Sequence, residues 1–133
     1  MNFNELLELV RRSGGNSIQL EAHSDELKSA RNASGDTLLH IVSAEGNADA
    51  VEALLRVGCD VNLRNSFGSP PIECAAWRDE RSVVLKLIQA GAEIQMVDST
   101  GFSTAENLNM MGKGEMVEWM HSRIRERDQG KRQ

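Results

Sequence analysis

The sequence repeats itself every 33 residues, and this period restricts the possible folds more than any other feature. Shifting the chain by 33 positions places Gly35 on Gly68 and Gly101, and Gly58 on Gly91. Each period contains a turn, a short apolar helical segment, a break and a second apolar helical segment. One such unit cannot bury its own apolar face, so the period predicts a row of units that stack on one another.

Residues 32–64 form the clearest unit. Thr37 is predicted to begin the first helix, because its hydroxyl can accept a hydrogen bond from a backbone N–H left open at a helix start. Gly46 is predicted to end that helix, since glycine adopts a left-handed conformation at little cost. In the second helix, Val51 and Leu54 recur at the spacing of one buried face. The pattern predicts a pair of helices joined by a tight turn.

Two segments of this unit resemble a known family. GDTLLH is similar to the G-x-T-P-L-H motif of ankyrin repeats, and LLRVGCDVN is similar to their L-L-x-x-G-A-D-V-N motif. The resemblance implies an all-α ankyrin-repeat α-solenoid, in which helix-turn-helix units are joined by β-turn fingers. It implies about four repeats, the first and last degenerate, at about 1–31, 32–64, 65–97 and 98–127. We expect a single domain, 1–127, followed by a flexible basic tail, 128–133.

The sequence departs from the family pattern in several places. Residues 17–27 do not keep the outer-helix spacing, so we expect a short or irregular helix there. In the third repeat Asp79 replaces the glycine that ends an inner helix, and it should keep the turn because aspartate tolerates the left-handed region. The last outer helix is expected to span about 114–127 and then fray. Removal of residues 126–133 should therefore cost little stability.

Composition restricts the cellular setting. The net charge is −5, no stretch of about 18 consecutive residues is apolar, and the N-terminus lacks the pattern of a signal peptide. We therefore expect a cytoplasmic protein that does not associate with membranes. Cys59 and Cys74 are expected to be small apolar fillers, because the sequence contains no Cys-x-x-Cys spacing and its histidines are scattered. No metal and no cofactor are expected.

No set of residues predicts catalysis. His40 occupies the histidine position of the ankyrin motif, and the resemblance implies that it links neighbouring turns. Its counterparts Glu73 and Glu106 are carboxylates on a solenoid face, whereas general acid–base catalysis requires a pocket and a shifted pKa. Residues 1–122 carry ten basic and eighteen acidic side chains, which gives no electrostatic footprint for nucleic acid. We expect a non-enzymatic protein that does not bind nucleic acid.

The resemblance implies a binding site on the concave face, where turn tips and inner helices leave side chains exposed. The candidate residues at these positions are Phe67, Trp77, Arg78, Phe102, Met110, Met111, Arg64, Ser66, Ser69, Glu45 and Asp36. Large apolar side chains gather in the C-terminal half of this face, and Trp77, the counterpart of Ala44, is the expected anchor. Such a patch, if exposed, marks an interaction site. The alternative is that these side chains cover the end of a short stack or pack on each other.

These features predict a protein that binds another protein, as an adaptor or scaffold subunit, and that is monomeric when free. The alternative is a stoichiometric inhibitor of an enzyme, such as an immunity protein, an antitoxin or an anti-defence factor. A small acidic chain without an attached effector domain suits that role. Its acidity would also speed the capture of a basic partner such as a nuclease.

Overall fold

Paired helices make up the fold of residues 1–130, the part of the chain that this computed structural model describes. The extended pairings in that range are two isolated antiparallel bridges, between Arg31 and Thr37 and between Val97 and Ser103. The predicted all-α solenoid of helix-turn-helix units is confirmed. In chain order the elements are α1 (Phe3–Arg12), a 3₁₀ helix (Ser17–His23), α2 (Ser24–Ser29), α3 (Leu38–Ala44), α4 (Ala48–Arg56), α5 (Pro71–Trp77), α6 (Arg81–Gln89), α7 (Thr104–Met110) and α8 (Gly114–Gly130).

The helices form two layers. The inner layer consists of α1, α3, α5 and α7, each packed against the next. The outer layer consists of the 3₁₀ helix, α4, α6 and α8 in the same order, with α2 against the 3₁₀ helix. Neighbours in sequence are therefore neighbours in space, which is the property of a solenoid.

A narrow apolar core lies between the two layers. The equivalent positions Val51, Val84 and Val117 are buried, and so are Leu54 and Leu87, three residues after the first two valines. Burial of each such side chain contributes about 1.5–3 kcal/mol. Because successive repeats share this core, no repeat can be stable without its neighbours.

Local interactions set the helix boundaries as the sequence predicted. The Thr37 hydroxyl oxygen accepts a hydrogen bond from the His40 N–H over 3.3 Å at the start of α3. Pro71 occupies the first position of α5, where its missing N–H has no structural cost. Asp79 has a φ of 58°, so it takes the left-handed conformation of the glycine that it replaces.

Polar contacts between inner helices differ from one interface to the next. His40 Nε2 lies 2.7 Å from the Ser69 carbonyl oxygen, so the expected link between neighbouring turns is confirmed. At the following interface the counterpart of His40, Glu73, accepts a hydrogen bond from Asn107 Nδ2 over 3.3 Å. Helix α3 is therefore joined to the third repeat through a backbone acceptor, and α5 is joined to α7 through two side chains.

Arginine side chains connect the β-turn fingers. Arg31 donates from Nη1 to the Arg64 carbonyl oxygen over 2.8 Å, and Arg64 donates from Nη2 to the Met96 carbonyl oxygen over 2.9 Å. The Ser66 N–H donates to the Ser34 carbonyl oxygen over 3.0 Å. The two arginine contacts recur at about the repeat period, so they align successive fingers along the concave face.

The terminal repeats depart from the regular pattern. In the first repeat, the 3₁₀ helix Ser17–His23 and the short α2 replace a single outer helix, as expected. At the other end α8 continues to Gly130, past the predicted end at residue 127. The rest of the predicted tail, residues 131–133, lies outside the described residues.

Arg127 conflicts with the expectation that residues 126–133 contribute little to stability. Its side chain is only 11% exposed and donates from Nη1 to the carbonyl oxygens of Ile88 and Ala92, over 2.9 and 3.0 Å. Ile88 lies in the last turn of α6, where the helix carries a partial negative charge, and Ala92 follows shortly after the helix end at Gln89. Arg127 therefore caps α6, and the end of α8 is part of the packed structure.

Candidate functional site

Five large apolar side chains on the concave face define what we call the apolar patch: Phe67, Trp77, Phe102, Met110 and Met111. Their exposed fractions are 78%, 48%, 42%, 63% and 42%. Phe67 and Phe102 lie on two successive fingers, Trp77 and Met110 are the last residues of α5 and α7, and Met111 follows α7. All five remain accessible to a partner, as the candidate site requires.

Turn hydrogen bonds hold the two phenylalanine-bearing fingers. Asn65 Oδ1 accepts a hydrogen bond from the Phe67 N–H over 3.0 Å, and Asp98 Oδ1 accepts one from the Phe102 N–H over 3.1 Å. Bonds from the Thr100 hydroxyl and the Phe102 N–H to this carboxylate lower the pKa of Asp98 to about 2. Asp98 is therefore ionised at neutral pH, and the finger that carries Phe102 keeps its shape.

Trp77 contacts a lysine, and it borders a cleft together with a methionine. Lys113 Nζ is 5.4 Å from the centroid of the Trp77 ring, which is the distance of a cation–π contact, and it forms an ion pair with Asp79 over 2.8 Å. On the concave face Trp77 and Met111 border a cleft of about 170 Å³, lined by Ser69, Glu73, Cys74, Trp77 and Met111. One water molecule occupies about 30 Å³ in the liquid, so the cleft has room for an apolar side chain.

The polar groups of this cleft are already paired or protonated. Glu73 is buried and accepts hydrogen bonds from the Ser69 hydroxyl and from Asn107 Nδ2. Burial raises the pKa of the Cys74 thiol to about 11, so the sulfur is protonated at neutral pH and is a poor nucleophile. The cleft therefore offers shape and apolar surface to a ligand.

The side chains of three predicted site residues also form hydrogen bonds or ion pairs between repeats. Asp36 Oδ1 accepts a hydrogen bond from Asn65 Nδ2 over 2.9 Å. Glu45 forms an ion pair with Arg11 of the first repeat. Arg64 binds the next finger, as described above. These three side chains support the concave face, and their direct contact with a partner stays a prediction.

The remaining predicted residues lie near the apolar patch. Ser69 lines the cleft, and Ser66 is exposed on the same finger as Phe67. Arg78 directly follows Trp77 and is exposed. Within residues 1–130 its guanidinium group forms no ion pair and no hydrogen bond.

Two residues at this surface were not predicted from the sequence. Met96, at the base of the last finger, is 56% exposed, although its counterpart Leu63 is partly buried. Lys113 lies over Trp77, 36 residues further along the chain. The repeat register contained one signal for Lys113, because a polar residue occupies the same position in the second and third repeats, as Asn47 and Glu80.

A larger depression lies away from the apolar patch. It measures about 500 Å³ and runs along the exposed side of α1, between Met1 and Arg12. All of its lining residues belong to that helix or to the two residues before it. It is a groove on the surface of one helix, whereas the smaller cleft beside Trp77 lies between two repeats, so the cleft is the better candidate for binding.

Two other classes of site were searched for in residues 1–130. No helix in this range has both the length and the apolar character needed to cross a membrane. The same residues contain no group of three or more His, Cys, Asp or Glu side chains that could hold a metal ion.

Comparison with known proteins identifies the repeats. A family model described as ankyrin repeats (3 copies) matches residues 4–98. An ankyrin and IPT/TIG repeat-containing protein of Schizosaccharomyces pombe is 34% identical over 70 residues, 53% of this chain and 6% of that protein. An ADP-ribosylation factor GTPase-activating protein of Arabidopsis thaliana is 30% identical over 106 residues, 79% of this chain and 13% of that protein. The nuclear factor NF-kappa-B p110 subunit of Drosophila melanogaster is 31% identical over 72 residues, 54% of this chain and 7% of that protein.

The chain therefore spans less than a seventh of the length of each of these relatives. The matched residues 4–98 include the irregular first repeat and both regular repeats. Ankyrin repeats are a non-catalytic fold that binds other proteins. By its period, its paired helices and this match, the chain belongs to the ankyrin-repeat family.

Proposed function

We propose that the protein binds a partner protein through the apolar patch, as an adaptor or scaffold subunit, and that it catalyses no reaction. The observation that carries the proposal is the exposure of five large apolar side chains on one half of the concave face. Contiguous exposed apolar surface on a folded domain marks an interaction site. The linked fingers and the shared core hold this surface rigid, so binding relies on complementary shape.

Trp77 is the proposed centre of the interface. Its indole borders the cleft, and one of its faces is covered by Lys113. Tryptophan and arginine are enriched among the residues that dominate binding energy, and Arg78 lies beside it. Met110 and Met111 add flexible apolar surface that adapts to an irregular partner.

A stoichiometric inhibitor of an enzyme is the second candidate function. It rests on the net charge of −5, which would speed association with a basic enzyme. Affinity capture from the source cell followed by mass spectrometry separates the two roles. A single enzyme recovered at one-to-one stoichiometry favours inhibition, and a multiprotein assembly favours an adaptor or scaffold.

The proposal also includes a monomeric free state and a cytoplasmic location. Both cysteines, Cys59 and Cys74, are free thiols, which suits a reducing compartment. Sedimentation of the purified chain tests the oligomeric state, and fractionation of the source cell tests the location.

The direct test of the binding site replaces Trp77 by alanine. Binding of the captured partner should weaken by about 30-fold or more, equivalent to roughly 2 kcal/mol. Because half of the side chain is covered, folding stability should also fall, by about 1 kcal/mol. Phe67→Ala, at the most exposed position of the patch, should weaken binding with almost no change in stability.

Ile18→Ala is the matched control, because Ile18 is 75% exposed but lies on the 3₁₀ helix, outside the patch. This variant should bind the partner as the unaltered protein does. Unchanged binding by both patch variants would contradict the proposal. A loss of about 3 kcal/mol of folding stability in Trp77→Ala would show that the indole belongs to the core.

A further inference from the structure

Four acidic side chains of the concave face are already engaged with other side chains of the protein. Glu45 is paired with Arg11, and Asp79 with Lys113. Each carboxylate oxygen of Glu73 accepts a hydrogen bond from a side chain of the protein. The two oxygens of Asp36 accept bonds from Asn65 and Asn32 in the same way. Most oxygens of these four carboxylates already have donors within the protein, so they leave few free acceptors for a partner.

The arginines of the same face retain unused donors. In the described part of the chain, Arg31 and Arg64 each bond through one terminal nitrogen, and only to neutral carbonyl oxygens. Arg78 makes no side-chain hydrogen bond at all within residues 1–130. Nor does any carboxylate in that range form an ion pair with these three guanidinium groups. A guanidinium group carries five N–H donors, and burying them without acceptors is costly.

Arg78 and Arg64 both belong to elements that contribute residues to the cleft. Arg78 follows Trp77 at the end of α5, and Trp77 forms one wall of the cleft. Arg64 lies at the base of the finger whose other side carries Ser69, and the Asn65 N–H bonds to the Ser69 carbonyl oxygen over 3.0 Å within that finger. A partner segment with one side chain in the cleft would therefore have these two arginines on adjoining parts of the surface.

We infer that the partner presents an extended acidic segment, in which an apolar side chain enters the cleft and neighbouring carboxylates bind Arg78 and Arg64. A carboxylate of the partner can accept two parallel hydrogen bonds from the planar guanidinium group of an arginine. A lysine or an amide side chain of the partner cannot accept such a pair of bonds. The inference rests on the proposed function and specifies the chemistry of its ligand. The acidic segment is opposite in charge to the basic partner that the net charge of this chain favours.

A random 12-residue peptide library displayed on phage, panned against the full chain, tests the inference and requires no purified partner. Enriched peptides should combine an aliphatic or aromatic residue with at least two Asp or Glu residues. The most enriched peptide, synthesised with a fluorophore, should bind at least tenfold more weakly to Arg78→Glu than to the unaltered chain. Its affinity should also fall as sodium chloride is raised, because salt screens exposed charge pairs.

Arg125→Glu is the matched charge reversal, since Arg125 is exposed on α8 and forms no ion pair in the described part of the chain. It should leave peptide affinity unchanged. Enrichment of neutral or basic peptides, equal binding to Arg78→Glu, or no enrichment at all would overturn the inference of an acidic extended segment.

The proposed function is tested separately by the same peptides. If they bind Trp77→Ala as well as the unaltered chain, the apolar patch is not their site and the proposed function fails with the inference. If the peptides bind Trp77→Ala weakly but bind Arg78→Glu as well as the unaltered chain, the apolar patch remains the proposed site. Only the inferred acidic charge of the partner is then wrong.

Discussion

Replacing Ser43 by alanine should stabilise the protein. The Ser43 side chain is 0% exposed, and its hydroxyl has no hydrogen-bond partner among residues 1–130. It lies in α3, on the side that packs within the stack. At the equivalent position of α5 the protein already has Ala76, also 0% exposed. The repeat therefore accommodates a methyl group at this position.

The size of the effect follows from three contributions. A buried hydroxyl without a partner costs about 1–3 kcal/mol, and alanine favours a helix over serine by about 0.5 kcal/mol. Removing one small atom leaves a minor void, which offsets roughly 0.5 kcal/mol of this gain. The free energy of unfolding should rise by about 1–3 kcal/mol for Ser43→Ala. For a chain of this size, each 1 kcal/mol raises the melting temperature by about 3–5 °C.

Urea unfolding followed by circular dichroism measures this change. Ser103→Ala is the control, because it also removes a buried hydroxyl, but one that caps α7 and accepts the Glu106 N–H over 3.1 Å. That variant should lose about 1 kcal/mol. The two substitutions should therefore shift the urea midpoint in opposite directions. A loss of stability in both would mean that the Ser43 hydroxyl is hydrogen-bonded in solution, and the reasoning would fail.

Two further predictions follow from Arg127 and His40. A chain truncated after Glu126 should be less stable by about 2 kcal/mol than a chain truncated after Arg127. The reason is that only the longer chain keeps the charged cap on α6. Equal urea midpoints for the two chains would rule out the cap. Burial lowers the pKa of His40, so the unfolded chain takes up the proton first and stability is lost as the pH falls below about 6.5 toward the folded-state pKa. The urea midpoint should fall further between pH 7.5 and pH 5.5 for the unaltered chain than for His40→Asn. If the midpoint falls by the same amount in both proteins, groups other than His40 cause the pH dependence.

Features that depend on neighbours in the sequence were predictable. The start of α3 at Thr37, the proline at the start of α5 and the left-handed Asp79 are each decided within one turn of the chain. The period placed the core positions, because Val51 and Val84 occupy the same place in their repeats. The exposed location of Trp77 followed from the same register, since it is the counterpart of Ala44.

Features that depend on residues far apart could not be predicted. The Arg127 cap joins α8 to the end of α6, and the cation–π contact joins Lys113 to Trp77. Periodicity says which face of a helix is buried, but it does not say which long side chain from another repeat reaches a given carbonyl or ring. For the same reason, the sequence could not show that Glu45 is paired with Arg11, whereas Arg78 has no ion-pair partner within residues 1–130.

The unlike contacts at the two inner-helix interfaces make the repeats unequal as building blocks. His40 binds a backbone carbonyl group, which any repeat placed after it would supply. Glu73 binds the side chain of Asn107, and the residue equivalent to Asn107 in the third repeat is Cys74. If the third repeat were duplicated in tandem, the Cys74 thiol of the second copy would lie where Asn107 now lies. Glu73 of the first copy would then lack its amide donor. An extra repeat placed between the second and third repeats would keep the His40 contact. An extra repeat placed between the third and fourth would break the contact between Glu73 and Asn107, so these two repeats must stay adjacent.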